Sequence, residues 1–328
     1  MLNKTLNVGT GERDRHQTAG LAGPDAARRG RRLHARDGVA GYLFLAPWMT
    51  GLVLLTLGPM LASLYLSFTR YDLFTSPEWI GLDNYRRMLD DERFLQSVKV
   101  TLQYVVLATP LKLVLALGIA MLLARPRRSQ GFYRSAFYAP SLIGASVSIA
   151  ITWRAVFMDD ALVDRLMQMI GLPAGGWIGQ PSKALLVLVL LSVWQFGAPM
   201  VIFMAGLQQV PQELYEAAEV DGAGWSRKFW HITLPMLSPV IFFNLLLETI
   251  HAFQVFTSAF VVSSPNPGSP ADATLVYTLY LYLKGFAEFR MGYASAMAWA
   301  LLVVIALVTV LLFRTSRMWV HYGDGDSR

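Results

Sequence analysis

Residues 216–235 read EAAEVDGAGWSRKFWHITLP, a polar insert between two long apolar runs. In order it gives Glu216, Ala217 and Ala218, three residues, Gly222, nine residues, Ile232, one residue, then Leu234 and Pro235. Just upstream, residues 211–218 favour a short helix. Pro211 suits a helix start, Glu213 and Glu216 lie near the positive end of the helix dipole, and Ala217 and Ala218 have high helix propensity. Gly222 supplies the permissive backbone for a sharp redirection before a second helical stretch at 225–230, and Pro235 marks the start of the next apolar run. The expectation is a tight helix, turn and helix. Small Ala217 and Ala218 let another surface approach closely, Leu214 and Tyr215 add apolar contact, and the acids can meet basic partners. Such a knob can transmit force.

The flanking sequence is that of a membrane protein. Of the 328 residues 54% are hydrophobic and only 15% charged, too apolar for an ordinary water-soluble domain of this size. There is no cysteine, so a disulfide framework and thiolate metal sites are excluded. A bilayer core needs roughly 20 mostly apolar helical residues. Six stretches meet that standard, at about 41–68, 98–124, 135–157, 184–207, 235–262 and 292–313. Pro47, Pro59, Pro110, Pro140 and Pro199 fall inside or beside them, where neighbouring helices can satisfy the freed carbonyls, so each span is expected to run continuously. The fold class is therefore all-α, a polytopic membrane protein with about six transmembrane helices.

The net charge of +6 does not point to nucleic acid, because the basic residues sit in short stretches beside apolar segments. With six alternating spans, 17 Lys and Arg fall on one side and 10 on the other, with Lys112 inside a span. The richer side holds the tail with Arg28, Arg29, Arg31, Arg32 and Arg36, the 125–134 stretch, Arg227 and Lys228, and Arg314, Arg317 and Arg328. The positive-inside bias then places both termini and the 216–235 insert in the cytoplasm, and loops near 69–97, 158–183 and 263–291 outside. Residues 1–38 lack the apolar content to order themselves and read as a disordered basic cytoplasmic tail. The following apolar run is roughly 28 residues long, more than a secretory signal needs, and no clear small-residue cleavage site follows it. Residues 39–318 form the membrane domain, and 319–328 a short second cytoplasmic tail. Tyr42, Trp48, Trp153 and Trp319 near span ends suit the headgroup level.

The spacing of Glu216, Ala217, Ala218, Gly222, Ile232, Leu234 and Pro235 resembles the EAA loop of permease subunits in binding-protein-dependent ABC importers. The segment GYLFLAPWMTGLVLLTLGPMLASLYLSFTRYDLF at 41–74 and WIGLDNYRRML at 79–89 are similar to the opening of maltose-type, MalF-like carbohydrate permeases. PLKLVLALGIAMLLA at 110–124 and FFNLLLETIHAFQVF at 242–256 resemble further segments of that branch. Many of its members carry Gly-Gly-Pro after the fifth span, where this chain has Ser263, Ser264, Pro265, Asn266 and Pro267. The resemblance implies a type I ABC importer transmembrane-domain fold in a bacterial cytoplasmic membrane, with the coupling loop at 211–235 docked into a cleft of an ATP-hydrolysing subunit. Glu216 then serves as docking acid, Gly222 as turn glycine, and Ala217 and Ala218 as packing surface.

It also implies partners: a second permease, a distinct homologue; a dimer of ATP-binding subunits; an extracytoplasmic sugar-binding protein; and membrane lipid. The chain has no G-x-x-x-x-G-K-[ST] phosphate loop, so it is non-catalytic with no cofactor of its own, and ATP and Mg belong to the partner subunit. A bland alternative for 216–235 is an amphipathic loop on the membrane surface, with Arg227 and Lys228 beside Phe229 and Trp230.

A charged side chain deep in a span costs roughly 2.5–3.5 kcal/mol and needs a partner or a watery cavity. Asn244, Glu248, His251 and Gln254 are spaced by four, three and three residues, so they share one helix face, and Lys112 lies in the second span. One reading is a sugar-contacting stripe, with Phe253 stacking on apolar sugar faces. The other is interhelical glue, Glu248 pairing with His251 or Lys112 and Asn244 bonding a neighbouring helix. Gln195 and Trp153 are further path candidates. Glu248 and His251 supply only two ligands, too few for a metal. An alternative function is a self-sufficient proton-coupled secondary transporter using Glu248 and His251 as a relay; the absence of internal repeats and the 216–235 spacing oppose it. An intramembrane enzyme would need a nucleophile or metal constellation that is not found in the sequence.

Overall fold

A computed structural model describes residues 44–124, 130–144, 146–171 and 175–321. The expected tail at 1–38, Tyr42, Arg125, Arg127, Arg128 and the end of the chain from 322 lie outside the described residues. Contacts divide the chain into two units, Met1–Ala62 and Ser63–Arg328. In the first unit the described residues are helical and none is buried; they open helix α1, Phe44–Ser67.

The second unit begins with a two-stranded antiparallel ladder, β1 (Thr69–Arg70) on β2 (Glu78–Trp79). Helices α2 (Asp83–Asp90), α3 (Glu92–Ala124), α4 (Gln130–Ile143), α5 (Val147–Phe157), α6 (Leu162–Met169), α7 (Pro181–Trp194) and α8 (Gly197–Leu207) follow. Then come α9 (Gln212–Val220), α10 (Trp225–Phe253), α11 (Thr257–Val262), α12 (Tyr277–Tyr282, prolonged by a π turn at Leu283–Ala287) and α13 (Met291–Ser316). The 33-residue α3 is the central rod, in contact with α7, α8, α10 and α12. One apolar cluster joins the first half of α3 to α7, α12 and α13 around Val100, Leu188, Leu279 and Met297. A second joins Leu113, Ala116 and Ala120 of α3 to Met200 and Phe203 of α8 and Leu237 of α10. α3 and α10 therefore run antiparallel.

Helices α1, α3, α10 and α13 are each long and apolar enough to cross a membrane, and two bent pairs, α4 with α5–α6 and α7 with α8, bring the total to six. The helices carry on through Pro47, Pro59 and Pro110, as expected. At two prolines a π turn makes room. In α1 the Gly58 N–H, just before Pro59, reaches back to Val53 O, and in α10 the Leu234 N–H, just before Pro235, reaches Phe229 O. Widening the turn relieves the clash between the proline ring and the preceding carbonyls.

Continuity fails in the third, fourth and fifth predicted spans. The third is interrupted between Ile143 and Val147, the fourth bends by 44° at Gln195 and Phe196, and the fifth ends at Phe253 before α11. The first two breaks repair each other. Ser141 Oγ donates to Gln195 O at 3.2 Å and accepts from the Ala198 N–H at 3.1 Å, while Gln195 Nε2 donates to Gly144 O at 3.0 Å. Backbone groups freed in a low-dielectric layer thus find partners on the neighbouring broken span. The approach is too close for a side chain: a Cβ on Gly197 would lie 2.7 Å from Phe137 O, and one on Gly144 would collide with the Gln195 side chain. Trp153 also makes an interhelical contact: its indole donates to Val187 O at 3.1 Å and its ring packs on Trp194. Trp48 is exposed, and Trp319 packs on Phe242.

Candidate functional site

The helix, turn and helix expected around 211–235 is present. Pro211 caps α9, and Gly222 follows with φ +74°, where the Asp221, Gly222 and Ala223 N–H groups close onto Ala217, Glu219 and Ala218 carbonyls. A left-handed residue in this position ends the helix while satisfying its last carbonyls, which is why glycine stands there. Two contacts stitch the elbow: Tyr215 OH to Thr233 Oγ1 at 2.9 Å, and Lys228 Nζ to Glu219 Oε2 at 3.4 Å.

The outer face of α9 is bare. Glu216 and Ala217 are exposed, Ala218 is half-buried, and Val220 is 89% exposed. Ile232, Leu234 and Pro235 are half-buried and lie in the α10 stem. Sequence placed the start of the next span at Pro235; instead the π turn carries the second helix of the elbow directly into the span, so that α10 runs unbroken from Trp225 to Phe253. The second helix of the elbow is therefore continuous with a rod of about 35 Å reaching to Glu248.

At mid-length of α3 and toward the far end of α10 lies a cavity of about 410 Å³. Lys112, Glu248, His251, Thr109, Tyr104 and Gln195 are among its walls. Lys112 Nζ meets Glu248 Oε2 at 2.7 Å, with both side chains largely buried. That resolves the pairing of Glu248 in favour of Lys112. Of the four residues in the stripe, Glu248 and His251 line the cavity; Asn244 and Gln254 do not. Asn244, 1% exposed, donates to Val240 O of its own helix, and Gln254 caps the end of α10. Tyr104, Thr109, Ser141, Ser192, Thr257 and Ser258 also line it, and the periodicity of α10 does not point to them. Their signal in the sequence is hydroxyls recurring in apolar runs, which is common in any membrane helix. Among the described residues no three His, Asp or Glu side chains gather as metal ligands.

At the end of α3 remote from the elbow, Asp91 ties three elements together. It accepts from Tyr280 OH at 2.6 Å, Tyr293 OH at 3.0 Å and the Arg93 and Phe94 N–H groups. Arg93 forms a bidentate pair with Asp272. Burial alone would raise the Asp91 carboxyl, but the hydrogen bonds from Tyr280, Phe94 and Tyr293 outweigh it and hold the group below the usual carboxylate range. The Tyr280 hydroxyl is pushed up by burial and by its bond to Asp91. The segment that replaces Gly-Gly-Pro leads into this network: Ser263 donates to Ala259 O, and Gly268 takes φ +91°.

Residues 92–319 match the family described as "Binding-protein-dependent transport system inner membrane component". The chain is 49% identical over 302 residues to "Probable ABC transporter permease protein YesP" of Bacillus subtilis (strain 168), covering 92% of this chain and 97% of that protein. It is 33% identical to the "Arabinooligosaccharides transport system permease protein AraP" of the same organism, covering 89% and 94%, and 33% identical to the "sn-glycerol-3-phosphate transport system permease protein UgpA" of Agrobacterium fabrum (strain C58 / ATCC 33970), covering 86% and 96%. A crystal structure of a bacterial ABC transporter involved in the import of the acidic polysaccharide alginate is similar in fold, with TM-score 0.73 and 23% identity, covering 88% of this chain and 99% of that one.

Proposed function

The chain belongs to the inner-membrane components of binding-protein-dependent transport systems, and from this membership and the geometry above we propose how it works as the non-catalytic permease subunit of a carbohydrate ABC importer. The bare face of α9, with Glu216, Ala217 and Ala218, docks on a separate ATP-binding subunit. Closure of two such subunits on ATP and Mg pushes the elbow, and the uninterrupted α10 carries that displacement to Glu248 in the cavity wall. The cavity is this chain's share of the sugar path, completed by a second, homologous permease. An extracytoplasmic binding protein delivers sugar at the end marked by Asp91. Both termini face the cytoplasm, with the basic tail 1–38 on that side. The relatives' names span oligosaccharides and a glycerol phosphate, so the cargo class is a polyhydroxylated small molecule of that range.

The observation that carries this reading is the continuity of α10 between an elbow whose outer face is exposed and a polar cavity. The proton-coupled alternative has no support: Glu248 is committed to Lys112 and not to a relay with His251. The test is reconstitution in liposomes with the companion permease, the ATPase and the binding protein. Sugar uptake is expected to require all of them and to collapse in Glu216→Lys while membrane insertion persists. Uptake by this chain alone, or uptake unchanged in Glu216→Lys, would overturn the coupling role.

A further inference from the structure

The two arms of the elbow carry opposite charge. Residues 211–221 hold Glu213, Glu216, Glu219 and Asp221 with no base, whereas 222–247 hold Arg227, Lys228 and His231 with no acid. Lys228 is taken by Glu219 across the turn. Arg227 and His231 are not used in this way. They stand with Trp230 on one face of the first two turns of α10, since residues three and four apart face the same way. Arg227 and His231 are exposed, and Trp230 is 59% exposed. The Arg227 guanidinium makes no hydrogen bond or ion pair among the described residues. His231 Nδ1 lies 3.1 Å from Arg227 O; a carbonyl only accepts, so Nδ1 carries the proton and Nε2 is left for an outside partner.

The rings beside these bases suit a membrane surface. Trp225 stacks on Phe229 with 9° between the planes, and Trp230 meets Phe229 edge to face at 5.4 Å. Phe229 is half-buried while both tryptophans are exposed. Amphipathic rings where a helix enters the bilayer sit at the headgroup level. Bases in the first turns of a helix oppose its dipole, so the stability of α10 does not account for them. The end of α13 adds charge on the same side. The His321 N–H donates to Ser238 Oγ at 2.9 Å and Trp319 packs on Phe242. Ser238 and Phe242 continue the face of His231 two and three turns further on, so exposed Arg314 and Arg317 come to that flank.

We propose that the second arm of the elbow binds the headgroup of an anionic phospholipid in the adjoining leaflet through Arg227, Trp230 and His231, while the acidic first arm faces the ATP-binding subunit. Arg227 offers a planar set of donors to the phosphodiester, His231 Nε2 accepts from a headgroup hydroxyl, and the Trp230 ring settles at the glycerol level between them. This rests on the reading of the elbow as the coupling element and supplies its pivot. An arm held at the membrane surface turns a push on α9 into a tilt of α10.

The complex with its ATPase, companion permease and binding protein is reconstituted in phosphatidylcholine vesicles carrying a trace of photoreactive phosphatidylglycerol or photoreactive phosphatidylcholine. Labelling is mapped onto residues 225–231 by mass spectrometry. Wild type is expected to take phosphatidylglycerol at least about fivefold over phosphatidylcholine, the factor that one basic residue contributes at an anionic surface. Arg227→Gln should bring the two lipids near parity, Arg227→Lys should keep the preference, and Trp230→Ala should lower labelling by both. Raised salt should shrink the preference in wild type, a measurement that needs no variant. Equal labelling in wild type, or a preference that neither salt nor Arg227→Gln reduces, would overturn the proposal. Labelling of 225–231 that appears only when the ATPase is left out would overturn it too, and would give this face to that subunit. Glu216→Lys separates the two readings: uptake should stop while labelling stays as in wild type. Uptake that survives Glu216→Lys would overturn the docking of α9 and leave the lipid site standing.

Discussion

The two ends of α10 are built on opposite rules. At its start the elbow presents Glu216, Ala217 and Val220 outward, their side chains exposed and without a hydrogen bond or ion pair among the described residues, whereas near its finish Glu248 and Asn244 are buried and bonded within it. Polar groups inside a membrane must be answered by the protein itself, because hydrocarbon offers nothing. Groups at the aqueous end can be left for a visitor. The helix therefore connects a surface left open for another subunit to an interior whose ion pair is already made within the chain. Substitutions at its interior end should act first on stability, and those at the elbow on coupling.

The largest effect is expected from removing one member of the ion pair. Glu248→Ala leaves Lys112 charged and unpartnered, at a cost of about 3–5 kcal/mol, whereas the double change Lys112→Met with Glu248→Leu should recover most of that. Thermal unfolding in detergent measures both. A double variant no more stable than Glu248→Ala would mean that the site holds water enough to solvate the charge.

At the elbow the expectation reverses. Glu216→Lys should leave unfolding unchanged and lower coupled uptake by about thirtyfold or more, as for losing a charged contact worth about 2 kcal/mol at an interface. Unfolding that shifts with uptake would erase the contrast between the two ends. A smaller version of the same test is Tyr215→Phe, which removes the bond to Thr233. One neutral hydrogen bond is worth about 0.5–1.5 kcal/mol. The elbow should loosen on its stem, so that ATP hydrolysis continues while uptake per ATP falls; equal loss of both would place Tyr215 in the docking surface itself.

The same contrast explains what could be read from the sequence. The elbow was legible because its residues are consecutive, and a turn that needs Gly222 at φ +74° leaves a fixed spacing. The spans were legible as apolar runs. Their breaks were not, since the reason for the bend at Gln195 lies in Ser141 and Gly144 on another span, and no local pattern announces a partner some 50 residues away. The cavity was half legible for the same reason. Periodicity within α10 found Glu248 and His251 but also swept in Asn244 and Gln254, and it had no means of adding Thr109 or Ser192 from facing helices. Trp153 shows the limit of composition: an aromatic near a span end gives no sign that its indole will bond Val187 O on a neighbouring helix.

The Asp91 network supplies the smallest test, one in which pH replaces mutation. Its carboxyl is held below the usual range when folded, so the stabilisation is fully present above the unfolded carboxylate pKa and is lost as pH falls through the lower folded one. Tyr280 behaves in the opposite sense: its raised hydroxyl contributes below the unfolded tyrosine pKa and loses that contribution at strongly alkaline pH. Between these limits the junction of α3, α12 and α13 should be insensitive to pH. Asp91→Asn should flatten the acid limb of an unfolding-against-pH curve by a modest amount and leave the pairing of Lys112 with Glu248 untouched, because the two sites sit some 21 residues, or about 30 Å, apart on one rod. An acid limb of the same slope in Asp91→Asn would assign it to other carboxylates. Loss of coupling in Asp91→Asn with no change in stability would show that the end farthest from the elbow also takes part in moving the cargo, and would end the division of labour between a paired interior and an open elbow.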